Sequence, residues 1–219
     1  MSNVKIFGVP RSGSTVIFNI INYLFDGALK PQVHYYFGDK KALLKTVVTY
    51  RDFRDSCVSQ WRAFYGGFDE EKNKKDISFS MLEKHVLDQL KTIEALNQFK
   101  RDYDQDDRQI LFLRYENFFN NQAGDLNFDY LFQELEKFFN IEINAEQRAY
   151  IRREYCFINQ KKKTKIFKNF HEYDEHTHLH GHHLYKGKTG SWKEMVPEQY
   201  HMVVNETLKE SLLQWGYKV

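Results

Sequence analysis

Apolar and polar positions along the chain alternate between two periods. Val4-Lys5-Ile6-Phe7-Gly8 is a short apolar run that stops at Gly8 and Pro10, the pattern of a buried strand. From Thr15 to Phe25, Val16, Ile17, Ile20, Ile21, Leu24 and Phe25 recur at helical spacing, and Gly27 is placed to close that helix. Gln32–Phe37 ("QVHYYF") and the β-branched Lys45–Tyr50 ("KTVVTY") predict further strands. Asp52–Phe64 reads as a helix, with Asp52 or Asp55 at its start, where the macrodipole favours a carboxylate. A polar loop, Gly66–Asp76, precedes a long amphipathic helix over Phe79–Lys100 and a strand over Gln109–Arg114. Helices are expected over Phe128–Phe139 and Ala145–Phe157, the second capped by Asn144. Lys161–His183 is polar and expected to be irregular, its Lys161–Lys165 run a solvated loop face. Pro197 suits the first turn of a last helix that runs to about Leu213 and ends near Gly216.

Strands alternating with helices predict one α/β domain over residues 1–219, three-layer α/β/α with a mainly parallel central sheet. Such sheets bind ligands at the carboxyl ends of their strands.

Composition narrows the chemistry. The 219 residues are 42% hydrophobic and 28% charged, ordinary for a globular protein with a sizeable core. Thirty-two basic and 30 acidic residues leave a formal charge of only +2, so no broad basic field serves nucleic acid, and any anion site must be local. Two cysteines, Cys57 and Cys156, make no disulfide framework. Cys57 reads as a small buried hydrophobe in its helix. The first apolar run breaks at Pro10, unlike a signal peptide, and no run reaches membrane-span length. A cytoplasmic protein is expected.

The first strand leads into Gly8-Val9-Pro10-Arg11-Ser12-Gly13-Ser14-Thr15, close to the Walker A pattern GxxxxGK[ST], with Ser14 where the lysine belongs. A glycine-rich turn at a helix N-terminus aims backbone N–H groups at one point. Arg11 adds a permanent charge, and Ser12, Ser14 and Thr15 add hydroxyls. The octet is therefore an anion cradle or, without a ligand, a plain strand–helix turn. "RDFRDSCVS" (Arg51–Ser59) repeats the strand-to-helix arrangement. It reads as a second anion site, or as surface ion pairing among Arg51, Asp52, Arg54 and Asp55.

Four stretches together resemble the cytosolic-type sulfotransferases. "VPRSGST" is similar to their 5′-phosphosulfate loop, and "VVTYRDFRDSCVS" to their 3′-phosphate motif, in which a Ser follows an Arg by eight residues. "LFLRYEN" (Leu111–Asn117) and "YKGKTGSWKEMV" (Tyr185–Val196) resemble their later strand end and closing loop, and "LLQWGY" their ending. The motifs fall in family order across nearly the whole chain. Val16, Tyr185 and Ser191 depart from the family's Trp, Arg and Asp.

The resemblance implies a P-loop-like fold and the donor 3′-phosphoadenosine 5′-phosphosulfate (PAPS), with 3′,5′-adenosine bisphosphate as product and no metal. It places Arg11 on the bridging and sulfuryl oxygens, Ser12, Gly13, Ser14 and Thr15 in the phosphate cradle, and Arg51 and Ser59 on the 3′-phosphate. Tyr115 faces the adenine side, Lys186 and Gly187 close over the 3′-phosphate, and Phe157 of "YCF" stacks on adenine. His34, in the strand "QVHYYF", aligns with the family's base, a role that suits a pKa near physiological pH; a carboxylate, which some sulfotransferases use, is the alternative. The implied acceptor is a small-molecule or glycan hydroxyl, ahead of an amine. Two rivals are a non-catalytic module that binds 3′-phosphonucleotides and a P-loop small-molecule kinase, the latter disfavoured by the missing lysine.

Six of the nine histidines fall in His171–His183. They read as cap residues contacting anions, as a solvated loop, or as a metal-binding run.

Overall fold

The computed structural model describes residues 4–27, 45–63, 79–103, 109–120, 124–181, 184 and 187–219. The expected strand Gln32–Phe37 with His34, the loop Gly66–Asp76, and Tyr185, Lys186, His182 and His183 lie outside them.

Three parallel strands form one sheet: β1 (Lys5–Gly8), β2 (Thr46–Tyr50) and β3 (Ile110–Arg114), with β2 in the middle. Gly8 pairs with Thr49 and Tyr50 with Arg114, so all three chains leave the sheet at the same edge. The period of two sorts side chains to opposite faces. Ile6, Val47 and Leu113 point into one core with the helices α1 (Ser14–Leu24), Phe128–Phe139 and Ala145–Tyr155. Phe7, Val48 and Phe112 point into the other, with α2 (Phe53–Trp61), α3 (Phe79–Tyr103) and the C-terminal helix His201–Gln214. That is the expected three-layer α/β arrangement. The second core is pinned by a polar bracket: buried Asn97 donates to Ser211 Oγ at 2.8 Å and accepts from Trp215 Nε1 at 2.7 Å. A buried amide satisfied at both ends fixes register between α3 and the last helix. Among the described residues no helix is long and apolar enough to cross a membrane.

Several local expectations need correction. Gly27 does close the first helix, left-handed at φ 71° and donating to the Asn22 carbonyl at 2.8 Å, but Asp26 before it is left-handed as well, at φ 54°. Lys161–Thr164 is not loop. It belongs to a separate helix, Phe157–Thr164, that starts directly after a turn at Cys156. Asp125 Oδ1 accepts from the Phe157 N–H at 2.7 Å and anchors that start from another element. After Pro197 comes a 3₁₀ turn, Glu198–Tyr200, before the last α-helix. The Phe128–Phe139 stripe is core and Cys57 is buried, its thiol pushed up to about 12 by burial first and then by Asp52.

Candidate active site at the carboxyl edge of the sheet

The chain leaving β1 turns sharply. Arg11 and Gly13 both take left-handed backbone conformations, φ 68° and 83°. At Gly13 a side chain is also excluded by space, because a Cβ would come within 2.9 Å of the Phe118 ring. No side chain caps the N-terminus of α1 and no carboxylate sits in its first turn. That end of the dipole is therefore left to attract an anion.

Ser12 does not extend the cradle. Its hydroxyl faces inward to the Val9 carbonyl at 2.7 Å and to Thr49 Oγ1 at 2.6 Å, and it is fully buried. It ties the loop to β2, and the Ser56 hydroxyl, which donates to the Pro10 carbonyl, ties it to α2. Ser14 is buried as well. From this loop, Arg11, Gly13, Thr15 and Val16 reach the wall of a cavity at the sheet edge.

The second stretch meets the first in that cavity. Arg51 and Ser59 line it beside Arg11, whose Nε donates to Ser59 Oγ at 3.2 Å. The ion pairs expected at the surface exist, but they are buried: Arg51 and Arg54 are 5% and 6% exposed and Asp55 is 0% exposed. Asp55 meets Arg51 Nη2 at 3.2 Å, and Asp52 takes a bidentate pair from Arg54. Arg51 also donates to the carbonyls of Arg11 (3.1 Å) and Lys188 (3.2 Å), so one guanidinium links the first loop to the late one. Burial pulls the Arg51 pKa down, but Asp55, Tyr115 and Glu116 outweigh it and the net shift is upward. The charge is permanent. Its Nε is buried with no hydrogen-bond partner among the described residues.

An aromatic ladder continues from there. The Arg51 guanidinium lies 4.5 Å over the Tyr115 ring, Tyr115 stacks on Phe119, and Phe119 meets Phe157 edge-on at 5.9 Å. Burial, partly countered by Arg51 and Arg11, pushes the Tyr115 hydroxyl up to about 12, so it stays protonated. Gly187 (φ 60°) closes this end, since a Cβ there would press to 2.4 Å from Phe119. Eight of the expected residues thus share one cavity: Arg11, Gly13, Thr15, Arg51, Ser59, Tyr115, Phe157 and Gly187. Arg62, Lys188 and Gln160 join them without having been anticipated. Arg62 lies one turn beyond Ser59, a spacing that puts both on one side of α2.

The histidine segment lies against this site. His180 stacks between Phe170 (4.7 Å) and Tyr173 (5.0 Å), and the Arg11 guanidinium lies 5.7 Å over Phe170. Burial lowers the His180 pKa, with Arg11 adding to the effect, so the ring is neutral near pH 7. Among the described residues no three His, Cys, Asp or Glu are grouped to hold a metal ion.

Backbone N–H groups at a helix start, buried arginines and aromatic side chains meet at the carboxyl edge of the parallel sheet of an α/β protein, where such folds bind ligands. The sequence model of the sulfotransferase domain matches residues 28–216, and the chain belongs to that family. The match begins after the loop at residues 8–15. Among solved structures the fold is similar to mouse sulfotransferase SULT7A1 complexed with PAP, at TM-score 0.68 and 14% identity, covering 96% of this chain and 84% of that one. No curated protein sequence matches the chain.

Proposed function

We propose that this protein is a PAPS-dependent sulfotransferase that transfers a sulfuryl group to a hydroxyl of a small molecule or glycan. The observation that carries the reading is the meeting of Arg11, the Arg51–Ser59 pair and Phe157 in one cavity, in a chain of the sulfotransferase family. The cavity fits such a donor: the N-terminus of α1 has no side-chain cap, and the buried Arg51 Nε awaits an acceptor.

PAPS supplies an activated sulfuryl group whose bond to the 5′-phosphate breaks as a bond to the acceptor oxygen forms. Arg11 and the Gly13–Thr15 backbone hold the 5′-phosphosulfate end and offset the charge that develops on the leaving phosphate. Ser12 keeps that loop in shape. Arg51 and Ser59 hold the 3′-phosphate, with Lys186 and Gly187 closing over it. Tyr115 and Phe157 frame the adenine. His34 takes the acceptor proton, a task an imidazole suits.

A thermal-shift comparison tests the donor class. 3′,5′-Adenosine bisphosphate at about a hundred times its dissociation constant should add roughly 2.7 kcal/mol of stability, and ATP with Mg²⁺ little. Stabilisation by ATP alone would favour a kinase. Binding of the bisphosphate with no sulfate transferred to phenols, alcohols or sugars would favour a non-catalytic module. For the base, His34→Ala is expected to slow transfer by about 10²-fold and leave bisphosphate affinity within about twofold. Equal loss of both would make His34 structural.

A further inference from the structure

Gln160 lies one turn after Phe157 on the helix Phe157–Thr164, so the ring and the amide share a helix face, and both line the cavity. The residue is only 3% exposed. Its Nε2 donates to the Glu154 carbonyl at 2.9 Å. That bond fixes the orientation of the amide, because only the nitrogen can donate to a carbonyl. The other end is therefore the oxygen. Oε1 is buried and has no hydrogen-bond partner among the described residues. A buried acceptor left unpaired is costly, and this one belongs to a residue of the cavity wall.

The neighbouring wall limits which donor. Phe119, Leu126, Tyr155 and Phe157 line the same cavity, with Phe119 edge-on to Phe157. A ring stacked on Phe157 would have Gln160 one helical turn away. On a purine edge an exocyclic amino group donates and an oxo group only accepts. A carbonyl oxygen attracts the first and repels the second.

We propose that Gln160 is a specificity-determining residue that accepts a hydrogen bond from the amino group of adenine and so rejects 6-oxopurine nucleotides. The proposal rests on the donor reading above. It assigns base selection to the amide oxygen and leaves phosphate recognition to Arg51 and Ser59.

Calorimetric titration with adenosine 3′,5′-bisphosphate and inosine 3′,5′-bisphosphate tests it. The two differ only in the amino or oxo group and its ring proton. The native protein should prefer the adenosine compound by at least about tenfold, the effect of one buried hydrogen bond and one avoided repulsion. Gln160→Met, similar in volume, should bring the two affinities within about twofold, chiefly by weakening the adenosine compound. A merely structural Gln160, bracing the Glu154 carbonyl, would weaken both ligands equally and leave their ratio unchanged. An unchanged ratio, or a native protein that does not discriminate, overturns the proposal and leaves the donor reading intact. Failure of both bisphosphates to bind the native protein overturns the donor reading and this proposal together.

Discussion

Arg11→Ala is expected to lower kcat for sulfuryl transfer by about 10³-fold, in the range an arginine supplies to a comparable phosphoryl transfer. The guanidinium is positioned before any ligand arrives: its Nε donates to Ser59 Oγ at 3.2 Å and its plane lies over Phe170. Such a preset cation stabilises developing charge without reorganising at the moment of reaction. Bisphosphate affinity should fall as well, because the product keeps the 5′-phosphate that Arg11 faces, while Arg51, Ser59 and Phe157 retain part of the binding. The side chain and backbone contributions separate cleanly. Arg11 sits at φ 68°, a left-handed conformation that strains any residue with a Cβ, and its carbonyl accepts from Arg51 at 3.1 Å. Arg11→Gly should match Arg11→Ala in lost activity while unfolding at the same or a higher temperature. Single-turnover rates with PAPS and a phenol measure the first effect and thermal unfolding the second. A kcat within about threefold of the native value would remove Arg11 from the chemistry.

The architecture was legible because each strand carries a clean apolar run and each long helix a clean stripe. Ile6 and Phe7, or Val47 and Val48, enter opposite cores through the simple alternation of a strand. The cavity was legible through spacing: Arg51 and Ser59 lie on one motif, and parallel strands bring successive strand ends together. What spacing cannot show is where a hydroxyl points. Ser12 belongs to the glycine-rich loop by pattern, yet its Oγ serves Val9 and Thr49, which only the sheet register brings near. The helix Phe157–Thr164 was hidden by its lysines and by its start only two residues after Tyr155. Its N-terminal anchor, Asp125, comes from a two-residue strand 32 positions away. Gln160 was equally silent, because an unpaired amide oxygen is a property of packing and not of composition. By sequence alone Asp55 is a dipole partner or a surface charge. Its real importance depends on a loop more than 130 residues further along the chain.

Asp55→Ala should be the most destabilising single change at this site. The carboxylate is fully buried, and every partner it holds is polar. Oδ2 accepts from the Gly190 N–H at 2.6 Å and pairs with Arg51 Nη2 at 3.2 Å. Oδ1 accepts from the Trp192 N–H at 2.9 Å and the Ser191 hydroxyl at 3.2 Å, at the start of the short helix Trp192–Met195. Removing it orphans those donors and strands the Arg51 charge in the interior. Breaking a buried pair in this way costs about 3–5 kcal/mol. For a chain of this size that is a fall in Tm of about 10 °C. Bisphosphate affinity should drop with it, since the loop that carries Gly187 and Lys188 loses its tether to α2. The double variant Arg51→Met/Asp55→Ala separates the two consequences. Removing both charges relieves the uncompensated one, so part of the lost stability should return. Binding should not return, because the 3′-phosphate has lost its cation. If the double variant recovered both, Arg51 and Asp55 would be a structural pair beside the nucleotide site and not part of it.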